Sequence, residues 1–243
     1  MTQSQATYRF LQQKVIFRQA PKPMEIELRQ VSKSFGRVRA LQSIDLHLRG
    51  GELALVTGPN GSGKSTLLKI LATALAPDEG DYVWDGKPVH DALDQVRKSL
   101  GYLGERISLY EDLTVEENLI FWARVYGQFW GAQELSEALK LWNMEAYRSR
   151  PVRNLSQGMS RRTGLAKIGL QNPGVVLLDE PFNGLDSENC EVLVGTLSDW
   201  KSAGKTIVLA THQPGIAEGM MTQRLVLREG RVDGSLQPEL CRV

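Results

Sequence analysis

A glycine-rich loop between an apolar strand and a helix constrains the fold of this chain more than any other feature. Residues 53–57 (LALVT) are short and fully apolar, as expected for a strand that is buried on both faces. The loop Gly58–Ser65 (GPNGSGKS) follows at once and matches the pattern GxxxxGK followed by Ser or Thr, and a helix-like run over 65–76 comes next. This order of strand, loop and helix predicts an α/β domain that binds a nucleoside triphosphate.

The residue types of this loop explain how it would hold phosphate. Its glycines allow backbone N–H groups to face inward onto phosphate oxygens, and the start of the helix adds a positive dipole end. Lys64, also predicted to be catalytic, would bring a positive charge to the β- and γ-phosphates, and the Ser65 hydroxyl would ligate Mg²⁺. The predicted nucleotide-binding residues of the loop are Gly58, Pro59, Asn60, Gly61, Ser62, Gly63, Lys64, Ser65 and Thr66.

A second apolar strand ends in two adjacent carboxylates. Residues 175–178 (VVLL) precede Asp179 and Glu180, which suits a site at the carboxyl edge of a parallel sheet. Asp179 is predicted to hold Mg²⁺, and Glu180 is predicted to be the general base that polarises the attacking water. An apolar strand ending in Asp-Glu is common by itself, but downstream of a phosphate loop it indicates nucleotide hydrolysis.

The remaining pattern predicts a mostly parallel sheet with a helical insertion. Alternating residues over 25–31 and 43–48 indicate half-buried strands, and the dipeptide Asp85-Gly86 indicates a hairpin turn. Residues 106–171 are mainly helical, and Thr114 with Glu117 forms a predicted capping box. Further segments complete the pattern: helices over 135–141, 157–170 and near 187–203, and a buried strand over 207–210.

Composition and charge exclude several classes of protein. The chain has 29 Lys and Arg against 28 Asp and Glu, so a formal charge of +1 gives no global attraction to nucleic acid or anionic lipid. The sequence contains no run of 18 or more apolar residues, so no membrane span is predicted. Cys190 and Cys241 lack metal-ligand spacing and predict reduced thiols, while three scattered histidines predict no metal cluster.

The two ends of the chain differ in pattern from its middle. Residues 1–23 are predicted to be an N-terminal extension that ends in Pro-Lys-Pro, so that either the extension is peripheral or Met24 is the natural start. Residues 24–234 are predicted to form the single nucleotide-binding domain, with the helical subdomain at about 106–171. Residues 235–243 are predicted to be a C-terminal tail.

Five elements in the right order resemble the ATP-binding subunits of ABC transporters, over residues 24 to about 234. Besides the two motifs above, LSQGM (155–159) resembles the signature loop of the family and NGLD (183–186) resembles its D-loop. The histidine after the strand 207–210 resembles its switch histidine. The resemblance implies nucleotide binding by Phe35, which would stack on adenine, and by Ser156, Gly158 and Asp186, with His212 as a catalytic residue that contacts the γ-phosphate.

The resemblance implies both a fold and an assembly. The fold is that of a P-loop NTPase cassette of the α/β class, with a mostly parallel sheet core, an antiparallel β subdomain and an inserted α-helical subdomain. Two cassettes of the family pack head to tail, so that each ATP lies between one phosphate loop and the signature loop of the partner. The implied cofactors are ATP and Mg²⁺. The implied partners are a second cassette in a homodimer or heterodimer and a membrane-spanning permease, without nucleic acid.

The implied activity is ATP hydrolysis coupled to transport, at the cytoplasmic face of the inner membrane and peripheral through the permease. Glu105 stands where the family usually has a glutamine near the metal, so it is predicted to ligate Mg²⁺ while adding negative charge near the phosphates. Gln157 and Met159 replace a glycine and a glutamine of the usual signature loop. Because the serine and the following glycine remain, phosphate contact is expected to survive.

Short segments resemble one branch of the family. The segments YLG (102–104), DEPFNGLD (179–186) and THQP (211–214) are similar to the ATPase of haem exporters for cytochrome c biogenesis. A multidrug or polysaccharide-type exporter cassette is the alternative within the class. An ABC ATPase that acts on nucleic acid or ribosomes and a phosphate-loop kinase are the alternatives from other classes.

A cluster of aromatic residues in the helical section has two interpretations. Most of them are predicted to form the subdomain core, and one or two to line a groove where the family docks its permease. The residues concerned are Phe121, Trp122, Tyr126, Phe129 and Trp130, with Arg106, Tyr110 and Glu111 as predicted neighbours of the groove.

Overall fold

Residues 22–236 are described by a computed structural model and divide into two units. The sheet unit contains residues 22–105, Gly174–Pro181 and 201–236, and the helical unit contains Arg106–Pro173 and Phe182–Trp200. Nearly all of the predicted extension, 1–23, and most of the predicted tail, 235–243, lie outside the described residues, as does Cys241. Those domain boundaries therefore stay predictions.

Six strands of the sheet unit form the largely parallel sheet that the apolar runs predict. The strands are ordered β10-β9-β3-β8-β7-β6, and all neighbours are parallel except β10 and β9. Every residue of β3, β7 and β8 is buried, which explains why these strands lack an alternating pattern. Their bounds are β3 (Leu53–Thr57), β6 (Leu100–Leu103), β7 (Val175–Asp179), β8 (Thr206–Ala210), β9 (Gln223–Arg228) and β10 (Arg231–Leu236).

The other four strands of the sheet unit form an antiparallel sheet in the order β2-β1-β4-β5. They are β1 (Ile26–Phe35), β2 (Val38–Leu48), β4 (Glu79–Trp84) and β5 (Lys87–Pro88), and the predicted Asp85-Gly86 turn joins the last two. The first two strands are longer than their patterns predict. The register of β1 against β2 shifts between Leu28 and Val31 and twice more beyond, and each irregularity interrupts the alternation of side chains.

Two helices complete the sheet unit, α1 (Lys64–Leu71) and α2 (Leu93–Lys98), with short 3₁₀ turns at Val89–Asp91 and Pro214–Ile216. The predicted helix over 65–76 is too long at its C-terminal end. Thr73 adopts a left-handed conformation with φ of 54°, which stops the helix two residues after Leu71. The apolar face of α1, including Leu67 and Ile70, is buried in the core of this unit.

The helical unit contains α3 (Val115–Val125), α4 (Ala132–Leu141), α5 (Gln157–Gln171) and all but the last two residues of α6 (Ser187–Ser202). Two 3₁₀ turns, Glu145–Tyr147 and Val152–Asn154, lie between α4 and α5. The predicted capping box at the start of α3 is confirmed, because the Thr114 hydroxyl accepts from Glu117 N–H and the Glu117 carboxylate accepts from Thr114 N–H. Among the described residues, no helix is long and apolar enough to cross a lipid bilayer.

The aromatic cluster is only partly a core. Trp130 is buried, and Phe121, Trp122 and Tyr126 are half-buried. Phe129 is 84% exposed and lies outside the core, which the prediction that most but not all of these rings form the core allows. The reason is local: Phe129 follows α3 in the loop between Gly127 and Gly131, where no helical period directs a side chain inward.

Candidate nucleotide site

The phosphate loop leaves the carboxyl end of β3 and leads directly into α1 in the sheet unit. Gly58 has φ of 148°, and a Cβ atom at this position would overlap the carbonyl oxygen of Leu227, so only glycine fits. The buried Lys64 ammonium donates to the carbonyl oxygens of Gly58 at 2.8 Å and Pro59 at 3.1 Å. A buried cation and the N-terminal end of α1 thus adjoin one loop, which suits it to bind phosphate.

Asp179 is a buried carboxylate at the end of β7. Its residue is 2% exposed, and neither carboxylate oxygen has a hydrogen bond of ordinary geometry among the described residues. Burial raises the pKa of Asp179, and the Glu180 and Glu105 carboxylates raise it further, whereas the nearby Ser65 hydroxyl and Lys64 ammonium lower it. An unpaired buried carboxylate beside a hydroxyl suits a hard divalent cation such as Mg²⁺.

Glu180 and His212 form a close pair at the edge of the same sheet. Glu180 follows β7 with φ of 48°, and its N–H donates to the carbonyl oxygen of Ala210 at the end of β8. The Oε2 atom of Glu180 lies 2.8 Å from Nδ1 of His212 and accepts from the His212 backbone N–H at 3.3 Å. The histidine thus contacts the carboxylate that the sequence predicts to be the base.

Glu105 lies near Asp179, two residues beyond the end of β6. Burial raises the pKa of Tyr102 to about 12, and the charges of Asp179 and Glu105 raise it as well, which places both carboxylates near one phenol. In the part of the chain that the structure describes, no three His, Cys, Asp or Glu side chains form a complete metal site. A cation held by Asp179, Ser65 and Glu105 would thus take further ligands from phosphate oxygens and water, as Mg²⁺ commonly does.

Phe35 belongs to the sheet unit and ends β1. The ring is about half exposed, and the Lys33 ammonium lies 5.9 Å from its centroid. Sequence reasoning did not identify Lys33 or Tyr102 as neighbours of the predicted site. For Lys33 the signal was available, because residues two apart in a strand lie on the same face.

The signature loop and the D-loop lie in the helical unit. Ser156 is the N-cap of α5, and its hydroxyl accepts from Met159 N–H at 3.2 Å. A Cβ atom on Gly158 would overlap the carbonyl oxygen of Gly184, so the first turn of α5 lies against the D-loop backbone. The Asp186 carboxylate accepts from the backbone and side-chain N–H groups of Asn189, both at 2.8 Å, which lowers its pKa.

The sequence-predicted residues are therefore distributed over both units. The sheet unit contains the phosphate loop, Phe35, Glu105, Asp179, Glu180 and His212, and the helical unit contains Ser156, Gly158 and Asp186. The Asp186 carboxylate caps the start of α6 by accepting from Asn189 N–H. The sequence offered a signal for this cap, because Asp is favoured immediately before a helix. The role of Asp186 towards nucleotide stays a prediction.

Comparisons with known proteins agree with this fold. A family model described as ABC transporter matches residues 41–183. The cytochrome c biogenesis ATP-binding export protein CcmA of Bordetella bronchiseptica is 39% identical over 194 residues, which cover 80% of this chain and 87% of that protein. The taurine import ATP-binding protein TauB of Ruegeria pomeroyi is 36% identical over 200 residues, covering 80% of this chain and 73% of that protein.

Solved structures extend the likeness to three dimensions. The dimeric structure of a bacterial ABC transporter cassette matches with a TM-score of 0.80 and 28% identity, covering 87% of this chain and 98% of that one. The same cassette in a dimeric post-hydrolysis state with bound ADP and Pi matches with a TM-score of 0.78 and 29% identity over the same shares. This chain therefore belongs to the ABC transporter family, as an ATP-binding and ATP-hydrolysing subunit.

Proposed function

We propose that this chain drives a separate membrane permease that exports haem for cytochrome c biogenesis. The observation that carries the proposal is the 39% identity to a cytochrome c biogenesis export protein across 80% of this chain. The motif YLG before Glu105 and the D-loop segment resemble the same branch. A taurine import protein at 36% identity shows that cassettes for other cargoes also match, so the cargo needs a direct test.

The proposed roles follow from the chemistry of the side chains. The loop 58–66 with Lys64 binds the phosphates, and Phe35 stacks on adenine. Glu180 accepts the proton of the attacking water, and His212 orients that carboxylate and contacts the γ-phosphate.

Mg²⁺ would be held by Ser65 and Asp179, with Glu105 nearby, and would neutralise charge on the β- and γ-phosphates. The fit rests on the two unpaired oxygens of the buried Asp179 carboxylate.

A second cassette completes the proposed site. Ser156 and Gly158 at the start of α5 would offer backbone N–H groups and a positive dipole end to the γ-phosphate bound by the partner. Asp186 would lie at the same interface. We propose a homodimer or heterodimer that is attached to the cytoplasmic face of the inner membrane through the permease.

Complementation tests the cargo. A bacterium that lacks its own cassette for cytochrome c biogenesis is given this chain together with the permease encoded beside it, and covalently bound haem in c-type cytochromes is stained. We expect the wild-type chain to restore the staining and the Glu180→Gln variant to fail. A chain that co-purifies with a permease but restores no staining would favour another exporter. ATPase activity stimulated by nucleic acid would favour the class that acts on nucleic acid or ribosomes.

Replacing Glu105 by glutamine is expected to raise the affinity for ATP in the absence of divalent cations by about fivefold, because one negative charge near the phosphates is lost. The same change removes a charge that raises the pKa of Asp179. The measurement is a titration with a fluorescent ATP analogue in EDTA. Glu111→Gln, an exposed residue of the helical unit, is the matched control. Equal affinities of wild type and Glu105→Gln would contradict the placement of Glu105 beside the phosphates.

Truncating Tyr110 is expected to weaken binding of the permease by about tenfold or more, since aromatic anchors dominate interfaces. Tyr110 is half exposed, and its ring meets Phe121 edge-on with 4.6 Å between centroids. We refer to these two residues as the docking surface. The measurement is binding of Tyr110→Ala to detergent-solubilised permease, with Val38→Ala in the sheet unit as an exposed apolar control. Unchanged permease binding would show that the groove lies elsewhere.

A further inference from the structure

Lys167 is a buried cation of the helical unit that the nucleotide chemistry does not use. It lies on α5 and is 4% exposed. Its ammonium donates to the carbonyl oxygen of Ser108 at 3.3 Å and lies 4.3 Å from the ring centroid of Trp122 on α3. Among the described residues no carboxylate pairs with it, and burial alone lowers its pKa to about 8. The cation is therefore held by a carbonyl and an aromatic face.

Burying such a cation is energetically unfavourable. An ammonium that is removed from water without a carboxylate partner costs free energy, and an apolar side chain of the same length would avoid that cost. The Trp122 ring and the Ser108 carbonyl recover part of it through cation–π attraction and one hydrogen bond. A contribution to stability alone is thus a poor explanation of Lys167, and its contacts indicate what else it does.

The contacts join three segments of the helical unit. Ser108 precedes the docking surface residue Tyr110, whose backbone is held by the buried Asn118: Tyr110 N–H donates to its side chain at 2.7 Å, and that amide donates to Tyr110 carbonyl oxygen at 2.9 Å. Trp122 meets the ring of Phe121 edge-on at 5.6 Å. Lys167 itself lies on the helix whose N-cap is Ser156.

The geometry points to Lys167 as a positioning residue that ties the docking surface to α5, so that permease binding acts on the helix carrying the signature loop. This inference rests on the proposed function, because it needs a permease at the docking surface. Asn118 fixes Tyr110 to α3, and Lys167 fixes Ser108 to α5. Only the second reaches the helix that begins at the signature serine.

The test compares basal with permease-stimulated ATPase activity in the full chain. For Lys167→Met we expect basal activity within about twofold of wild type, because Lys167 is not among the residues proposed to bind or hydrolyse nucleotide, and thermal stability that is equal or higher. Stimulation by the solubilised permease should fall about fivefold or more. Lys167→Arg keeps the cation and should restore most of the stimulation. Lys140→Met, an exposed lysine on α4, is the control and should behave as wild type.

A pH profile supplies a second measurement. The groups that contact the ammonium are a carbonyl and an indole ring, neither of which titrates, and burial lowers the pKa of Lys167 to about 8, so a pH dependence that Lys167→Arg removes reports Lys167 itself. Stimulation of the wild type should fall above about pH 8, and Lys167→Arg should resist the fall because arginine stays protonated.

Three outcomes would count against the proposal. Full stimulation of Lys167→Met would overturn the positioning role. Parallel loss of basal activity and thermal stability, without rescue by arginine, would show a purely structural residue and would also overturn it. Absence of permease stimulation in the wild-type chain would instead overturn the proposed function, and with it this inference.

Discussion

Replacing Glu180 by glutamine is expected to lower the rate of ATP hydrolysis by about 10²–10⁴-fold, the usual contribution of a general base. Glutamine has nearly the same shape but cannot accept a proton from water. The affinity for ATP should change by less than about threefold, because the substitution leaves interactions with the ground state in place. The Lys64 ammonium donates to the loop carbonyl oxygens of Gly58 and Pro59, whereas Glu180 pairs with His212.

The experiment measures phosphate release and nucleotide binding on the same preparations. Glu191→Gln on the exposed side of α6 is the matched control and should hydrolyse ATP at the wild-type rate. His212→Ala should lower turnover less than Glu180→Gln, since the carboxylate that accepts the proton remains in place. If Glu180→Gln retained more than about a tenth of the wild-type rate, the assignment of the base would be wrong.

Replacing Gly158 by alanine is the second change with a large expected effect. The new methyl group would overlap the carbonyl oxygen of Gly184, and backbone cannot move aside as a flexible side chain can. The first turn of α5 or the D-loop must shift. Because a displacement of about 1 Å in a catalytic arrangement costs about 100-fold in rate, we expect ATP hydrolysis to fall by about that factor. Nucleotide binding to the phosphate loop should persist, since Gly158 lies in the helical unit.

Gly169 on the same helix supplies a matched control. A Cβ atom there would meet nothing within 4 Å, so Gly169→Ala should retain full activity. It should also gain about 0.5–1 kcal/mol in the free energy of unfolding, because alanine loses less conformational entropy in a helix. The free energy of unfolding of both variants, measured in urea, distinguishes a local displacement of the backbone from a general loss of stability. Full ATPase activity of Gly158→Ala would show that the close approach to Gly184 has no functional role.

Local chemistry explains which features could be predicted from the sequence. The uninterrupted apolar run 53–57 and the loop after it need only near neighbours to define a buried strand, a turn and a helix start. The Thr114–Glu117 capping box likewise joins residues three apart, and the structure confirms it. Family membership was recognisable for the same reason, since each motif is contained in a short segment.

Long-range contacts explain the features that could not be predicted. Lysine on a helix is ordinarily exposed, and only the packing of α3 against α5 places Trp122 over Lys167. The surroundings of Asp179 depend on which groups folding brings to the end of β7. There β6 and α1 place Glu105 and Ser65 near the Asp179 carboxylate.

The sequence by itself thus determined the order of elements, the phosphate loop, the pair of carboxylates after β7 and the family, because these depend on residue types at short spacing. The tertiary structure alone decided where β1 and α1 end, that Phe129 lies outside the core, that Glu180 faces His212, and that Gly158 abuts Gly184. The physical reason is that burial, backbone strain and pKa shifts depend on groups that are distant in sequence and adjacent only after folding.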